Sequence, residues 1–165
     1  MELYFLRHGK AVELGEPGAI DDFSRALTDK GIKEMEAESD ALAALGVKLD
    51  AIFTSPLERA KQTAEIVARR LGMKKRLTET ELLGPGCNLE RLRKLLATQA
   101  DGKSIMLVGH EPDFSRLVGN LIGRNGACVE MKKGGLAVIE TDAALRAGGG
   151  MLTWLVPPKL LTRGE

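Results

Sequence analysis

Short apolar runs alternate along the chain with longer stretches in which apolar residues recur every three or four positions. The runs 2–7 (ELYFLR), 50–54 (DAIFT) and 105–109 (IMLVG) are apolar at nearly every step, as in strands covered on both faces. Between them, 29–45 places Ile32, Met35, Leu42 and Leu45 near helical period, and 56–71 does the same with Leu57, Ala60, Ala64, Val67 and Leu71. Leu89, Leu92, Leu95 and Leu96 mark a third helix over 89–99, and a fourth spans 113–122 before the glycine-rich 123–126. Residues 135–141 (GLAVIET) and 151–156 (MLTWLV), joined through Gly148-Gly149-Gly150, predict an antiparallel hairpin that closes the sheet. This alternation predicts an α/β fold, a mostly parallel sheet with crossover helices on both faces. The expected domain is 1–156; the tail 157–165 opens with two prolines and is expected to be loose.

Composition narrows the setting more than the chemistry. At 165 residues the chain suits one domain with one substantial core. Its 24 Lys+Arg against 23 Asp+Glu leave a net charge of +1, so no global field recruits nucleic acid and any anion preference must be local. The short apolar start lacks a basic leader or a cleavage signal, and no apolar stretch is long enough to span a bilayer. A soluble, cytoplasmic protein is expected, with no membrane partner. Cys87 and Cys128 lie far apart without a partner motif, so free thiols are the default.

The chain has only two histidines, and they occupy equivalent places. His8 follows ELYFLR and His110 follows SIMLVG, each at the carboxyl end of a predicted inner strand. In open α/β sheets ligands bind at that edge. Within TSPLERAKQTAEI, Ser55 is the expected N-cap, Pro56 the first helical residue and Glu58 the partner in a capping box. Arg59 then falls in the first turn, where a cation opposes the positive end of the helix dipole. It either pairs with a carboxylate such as Glu58 or Glu65, or faces a bound phosphate. Arg7 ends an apolar strand and needs either a structural carboxylate or an oxyanion, because a buried unpaired charge is costly. Two arginines and two histidines at one strand edge suit a phosphate dianion, with one neutral imidazole free to attack phosphorus.

Other motifs fail on context. There is no GxxxxGK[ST] loop, no GxGxxG after a strand and no HExxH. Cys87 to Arg93 has the Cys-x5-Arg spacing of cysteine phosphatases, but no glycine intervenes to wrap backbone N–H groups around phosphate, and Glu90 would repel it. Asn88 reads instead as the N-cap of a helix. His110, Glu111 and Asp113 could be written as metal ligands, but Pro112 interrupts them and two arginines nearby disfavour a cation. No metal and no cofactor are expected.

Arg7-His8-Gly9, Arg59 within SPLERAKQTAE, and VGHEP with His110, in that order, resemble the histidine phosphatase superfamily, which includes phosphoglycerate mutases. The resemblance implies a three-layer α/β/α sandwich, His8 as the phosphorylated nucleophile, and Arg7, Arg59 and His110 as the phosphate pocket. Within that superfamily the chain looks most like the SixA-type phosphohistidine phosphatases. Ala11 stands where mutase-like members continue with Glu-Ser/Thr-x-Trp-Asn, SRALTDKG matches an Arg-x-Leu-Thr-x-x-Gly segment, and little chain is left for a lid. The implied substrate is phosphohistidine on a partner such as a phosphotransfer domain or phosphocarrier. The alternatives are a phosphatase of small metabolites or nucleotides, and a phosphoprotein-binding module without turnover. Glu81 in TETELLGPG is the nearest match to the family's general acid, although its surroundings depart from the family pattern. Lys10 matches nothing in the motif and lends only positive charge at the rim.

Overall fold

A computed structural model describes residues 1–98 and 103–162. Six strands form one sheet: β1 (Glu2–Arg7), β2 (Ala51–Thr54), β3 (Leu77–Glu79), β4 (Ser104–Gly109), β5 (Leu136–Glu140) and β6 (Met151–Val156). Their order is β3-β2-β4-β1-β5-β6; the first four run parallel, and β5 and β6 join antiparallel. The helices are α1 (Asp29–Ala44), α2 (Glu58–Arg70), α3 (Leu89–Leu96), α4 (Asp113–Ile122) and α5 (Pro158–Leu161).

The near-continuous apolar strands are explained by burial on both faces. Leu3 and Phe5 of β1, with Ile105 and Leu107 of β4, pack with Leu92 of α3 and Phe114 of α4. The alternate residues Tyr4, Leu6, Met106 and Val108 pack with Met35 and Leu42 of α1 and with Ala64 and Val67 of α2. Two apolar layers flanking one sheet make the three-layer sandwich that the resemblance implied. Among the described residues no helix is long and apolar enough to cross a membrane.

Several boundaries differ from the sequence reading, each for a local reason. β3 was not expected: it is three residues long, largely polar, and pairs only with β2. α2 begins at Glu58 rather than at position 56, and Leu57 sits at its N-cap without a side-chain hydrogen bond, so there is no capping box. α3 ends at Leu96, and the predicted extension to 99 reaches a position outside the described residues. The first part of the tail expected to be loose forms α5 instead, started by Pro158 at a position where proline's missing N–H costs nothing, with Leu161 packed on the α1/α2 core. Residues 163–165 lie outside the described ones.

One core feature opposes stability. Glu38, on α1, is only 1 % exposed, and its Oε2 has no hydrogen-bond partner. Burial, reinforced by the charge of Glu34 one turn earlier, pushes its carboxyl up to about 8. The folded chain therefore keeps a proton that the unfolded chain, with its carboxyl near 4.5, has already released. This contribution to stability falls as pH rises from 4.5 toward 8, at about 1.4 kcal/mol per pKa unit. Urea unfolding at pH 5 and pH 8 should show Glu38→Gln losing less stability across that interval than the wild type, by a few kcal/mol. Identical pH dependence in the two proteins would mean that Glu38 is ionised in the fold.

Candidate active site

Strand register brings the two histidines together. In the parallel β1/β4 pair Leu6 lies opposite Val108 and Arg7 opposite Gly109, so the next residue of each strand is a histidine. The His8 N–H donates to the Gly109 carbonyl at 3.1 Å, and the two rings lie 5.2 Å apart between centroids. β2 pairs with the other side of β4, and the Ser55 N–H donates to the Val108 carbonyl, which places Ser55 at the same level.

Close packing holds the two turns after the strands. A Cβ on Gly9 would lie 2.7 Å from Met35 Cγ, and one on Gly109 would lie 2.6 Å from the Phe114 ring, so neither histidine could keep its place beside a larger residue. The Gly9 N–H donates to Thr63 Oγ1, whose hydroxyl in turn donates to the Arg59 carbonyl. This ties the Arg7-His8-Gly9 turn to the start of α2.

The hydrogen bonds of His8 select its tautomer. Nδ1 lies 2.7 Å from the Gly9 carbonyl, which can only accept, so Nδ1 carries the proton. Nε2 keeps its lone pair and accepts from Arg59 Nε at 3.3 Å. Burial, at 6 % exposure, pushes His8 down to about 3, with His110, Arg59 and Arg7 acting in the same direction. His110 is 5 % exposed and is pushed down to about 4, mainly by burial and then by Arg59. Both imidazoles are neutral at physiological pH. His110 Nε2 meets Ser55 Oγ at 2.7 Å, while its buried Nδ1 has no partner. Ser55 Oγ accepts from the Leu57 N–H; in the tautomer in which its own proton goes to Nε2, Nδ1 of His110 carries a proton and is an unspent donor.

The arginines are held in different ways. Arg59, in the first turn of α2, is buried and pairs with neither Glu58 nor Glu65. Its Nη1 donates to the Asp22 carbonyl and its Nη2 to Asp22 Oδ2 at 2.9 Å. Asp22 lies in the long β1–α1 connection, where no periodicity marks it; sequence reasoning missed it. Arg7 Nη1 donates to the Met131 carbonyl at 2.7 Å, and its buried Nε has no partner. Two strand ends thus each present an unpartnered buried polar atom, which in native structures points to a ligand or ordered water. The cluster offers a lone pair at His8 Nε2, with guanidinium and imidazole donors around it, as in-line transfer of a dianionic group requires.

The remaining candidates fall elsewhere. Glu81 is exposed, in a 3-10 turn directly after β3 at the same sheet edge, and caps nothing. Cys87 is buried and pushed up to about 12 by desolvation, so its thiol is no nucleophile. Asn88 caps α3 as expected, accepting from the Arg91 N–H. The carboxylates near His110 are engaged with backbone: Asp113 accepts from Gly86 and Cys87, and Glu111 from Ser115.

Comparison with known proteins agrees with this geometry. The family model of the histidine phosphatase superfamily (branch 1) matches residues 3–83. An uncharacterised protein of Picosynechococcus sp. is 35 % identical over 150 residues, 87 % of either chain. The structure of the protein histidine phosphatase SixA complexed with tungstate superposes with a TM-score of 0.84 at 23 % identity, covering 98 % of this chain and 99 % of that one. A chain from Agrobacterium tumefaciens assigned as a phosphohistidine phosphatase SixA gives 0.77 at 25 % identity, over 95 % and 97 %. Less similar structures of the same fold include phosphatases named for small phosphomonoesters. With the family model matched and a relative this similar over most of both chains, the chain belongs to the histidine phosphatase superfamily, branch 1.

Proposed function

We propose that the protein is a metal-independent phosphatase that removes phosphate from phosphohistidine on a partner protein, through a phospho-His8 intermediate. The observation that carries this reading is the His8 tautomer, with Nδ1–H fixed on Gly9 and the Nε2 lone pair aimed at a guanidinium. A neutral, oriented imidazole needs no base to become a nucleophile.

His8 Nε2 attacks phosphorus in line as the bond to the substrate's imidazole nitrogen breaks, and the released imidazole takes up a proton. Arg59 and Arg7 hold the equatorial oxygens, and His110 Nδ1–H donates to the transferring group. Water then attacks phospho-His8, which releases inorganic phosphate and restores the imidazole. Glu81 is the candidate proton donor. Its exposed position suits a substrate whose imidazole leaves readily, where an alcohol would depend more on general acid. The likeness to the two SixA structures supports phosphohistidine over small phosphomonoesters.

Released phosphate should be measured from a phosphohistidine protein and from phosphate monoesters, with and without chelator. His8→Ala is expected to lose at least ~10³-fold in kcat, and Arg59→Ala on the order of 10²-fold, with the phosphoprotein preferred and chelator without effect. Activity surviving in His8→Ala would remove the nucleophile assignment, and loss with chelator would point to a metal. Cys87→Ala should stay within about twofold of wild type.

Burial of His8 also predicts its titration. Nitrogen NMR shifts should report the Nδ1–H tautomer at pH 7 and no protonation of His8 above about pH 5. A midpoint near the ordinary 6.5 would mean that the pocket is wet. Because His8 and His110 have lowered values, the unfolded chain binds their protons first, and their contribution to stability disappears as pH falls from 6.5 toward 3.

A further inference from the structure

Beside the catalytic cluster lies a second cavity of about 800 Å³, between α1, the segment leading into β5, and the start of α5. Topology places it at the catalytic edge. β5 is antiparallel to β1, so the chain entering β5 arrives at the end where β1 finishes, and β6 leaves toward α5 at that same end. Arg7 belongs to both places: it lines the cavity and also acts on His8 and His110.

The cavity wall has a distinctive charge pattern. Five cationic side chains, Arg7, Lys10, Lys132, Lys133 and Lys159, line it with three carboxyl groups. Lys10 pairs with Glu34, Lys132 with Glu130, and Lys133 with Glu13 outside the cavity. Arg7 and Lys159 have no ion pair among the described residues. The third carboxyl is Glu38, 1 % exposed, with Oε2 unpartnered. Burial favours its neutral form, so it adds no negative charge to the wall. A cation would meet surplus positive charge here. A carboxylate would find the Lys159 ammonium within this surplus of positive charge, with Pro158 and Leu160 as apolar walls for its stem.

We propose that this cavity docks an acidic side chain of the phosphoprotein substrate, next to the phosphohistidine that enters the pocket at His8. The inference rests on the phosphohistidine reading and adds to it a place where the partner is recognised. Charge at such a site sets the encounter and the affinity, and leaves the chemical step unchanged.

The test compares wild type, Lys159→Ala and Lys159→Glu on three substrates: a phosphorylated histidine phosphotransfer domain, free phosphohistidine, and a small phosphomonoester carrying a carboxylate. Lys159 is exposed on a short helical turn, so neither substitution disturbs the core. The expected result is a KM for the phosphoprotein raised roughly fivefold or more in Lys159→Glu and by less in Lys159→Ala, with kcat and the hydrolysis of free phosphohistidine within about twofold of wild type. Added salt should raise the wild-type KM for the phosphoprotein and leave that of Lys159→Glu nearly unchanged. An unchanged phosphoprotein KM, or an equal rise for free phosphohistidine, overturns the docking site. A rise confined to the carboxylated monoester assigns the cavity to small anions and also overturns it. If the wild type hydrolyses neither phosphohistidine substrate, it is the catalytic reading that fails.

Discussion

The in-register parallel pairing of β1 with β4 is the constraint on which the site depends. Side chains alternate faces along a strand, so a slip of one residue would exchange the two apolar layers and move one histidine out of line with the other. Register is enforced by burial: Leu3 and Phe5 can satisfy only one face, Tyr4 and Leu6 only the opposite one. The core packing that stabilises the sheet is thereby what aligns the imidazoles. β4 acts as the ruler, since β1 reads it from one side and β2 from the other, delivering His8 and Ser55 to the level of His110.

Burial then sets the chemistry at that level. An imidazole in water would be partly protonated near neutral pH and could not serve as a nucleophile while charged. Removing His8 and His110 from water holds both neutral, and two nearby cations reinforce the effect. The polar atoms this buries are mostly satisfied within the protein, through the Gly9 carbonyl, Ser55 and Thr63. Those left over, Arg7 Nε and His110 Nδ1, are both suited to meet a phosphoryl oxygen. The same physics acts on Glu38 with the opposite sign, because burial there keeps a proton on rather than off.

Four of the five longer strands and the four longer helices were legible because each buries at least one full face; β6, which buries no residue fully, was legible from its apolar run after a glycine loop. β3 was not: it is three largely polar residues long, pairs with β2 alone and sets only Leu77 against the apolar layer, so no local pattern announces it. α5 was hidden for the opposite reason, since two prolines mark a chain break as readily as a helix start. Of the candidate site, Arg7 and Arg59 could be named because their charge conflicts with their surroundings, and His8 and His110 because each directly follows an inner strand. Asp22 showed no such conflict. An acidic residue in a polar loop looks ordinary until the fold brings a buried guanidinium against it.

The start of α2 is where local rules give way, and the exceptions share a cause. Its hydroxyl cap is diverted, since Ser55 is engaged with His110; Glu58 turns to Gln62 instead of back to the cap; and a cation occupies the first turn. The lost cap and the misplaced charge each weaken an isolated helix, by a few tenths to about 1 kcal/mol for the charge, and the Glu58–Gln62 pair one turn apart recovers only part of it. In the folded chain Asp22 offsets part of this from across the pocket, and the Phe23 carbonyl takes the Glu58 N–H. A phosphoryl dianion at His8 Nε2 would meet the positive end of the helix and the Arg59 guanidinium together, so both departures become favourable when it binds. Arg7 Nε stands unpartnered beforehand, whereas Arg59 Nε has to leave His8 Nε2 as the dianion arrives, so part of that gain is spent on reorganising the site. Consistency between local preference and fold is therefore broken only where the broken rule leaves an interaction for the substrate to complete.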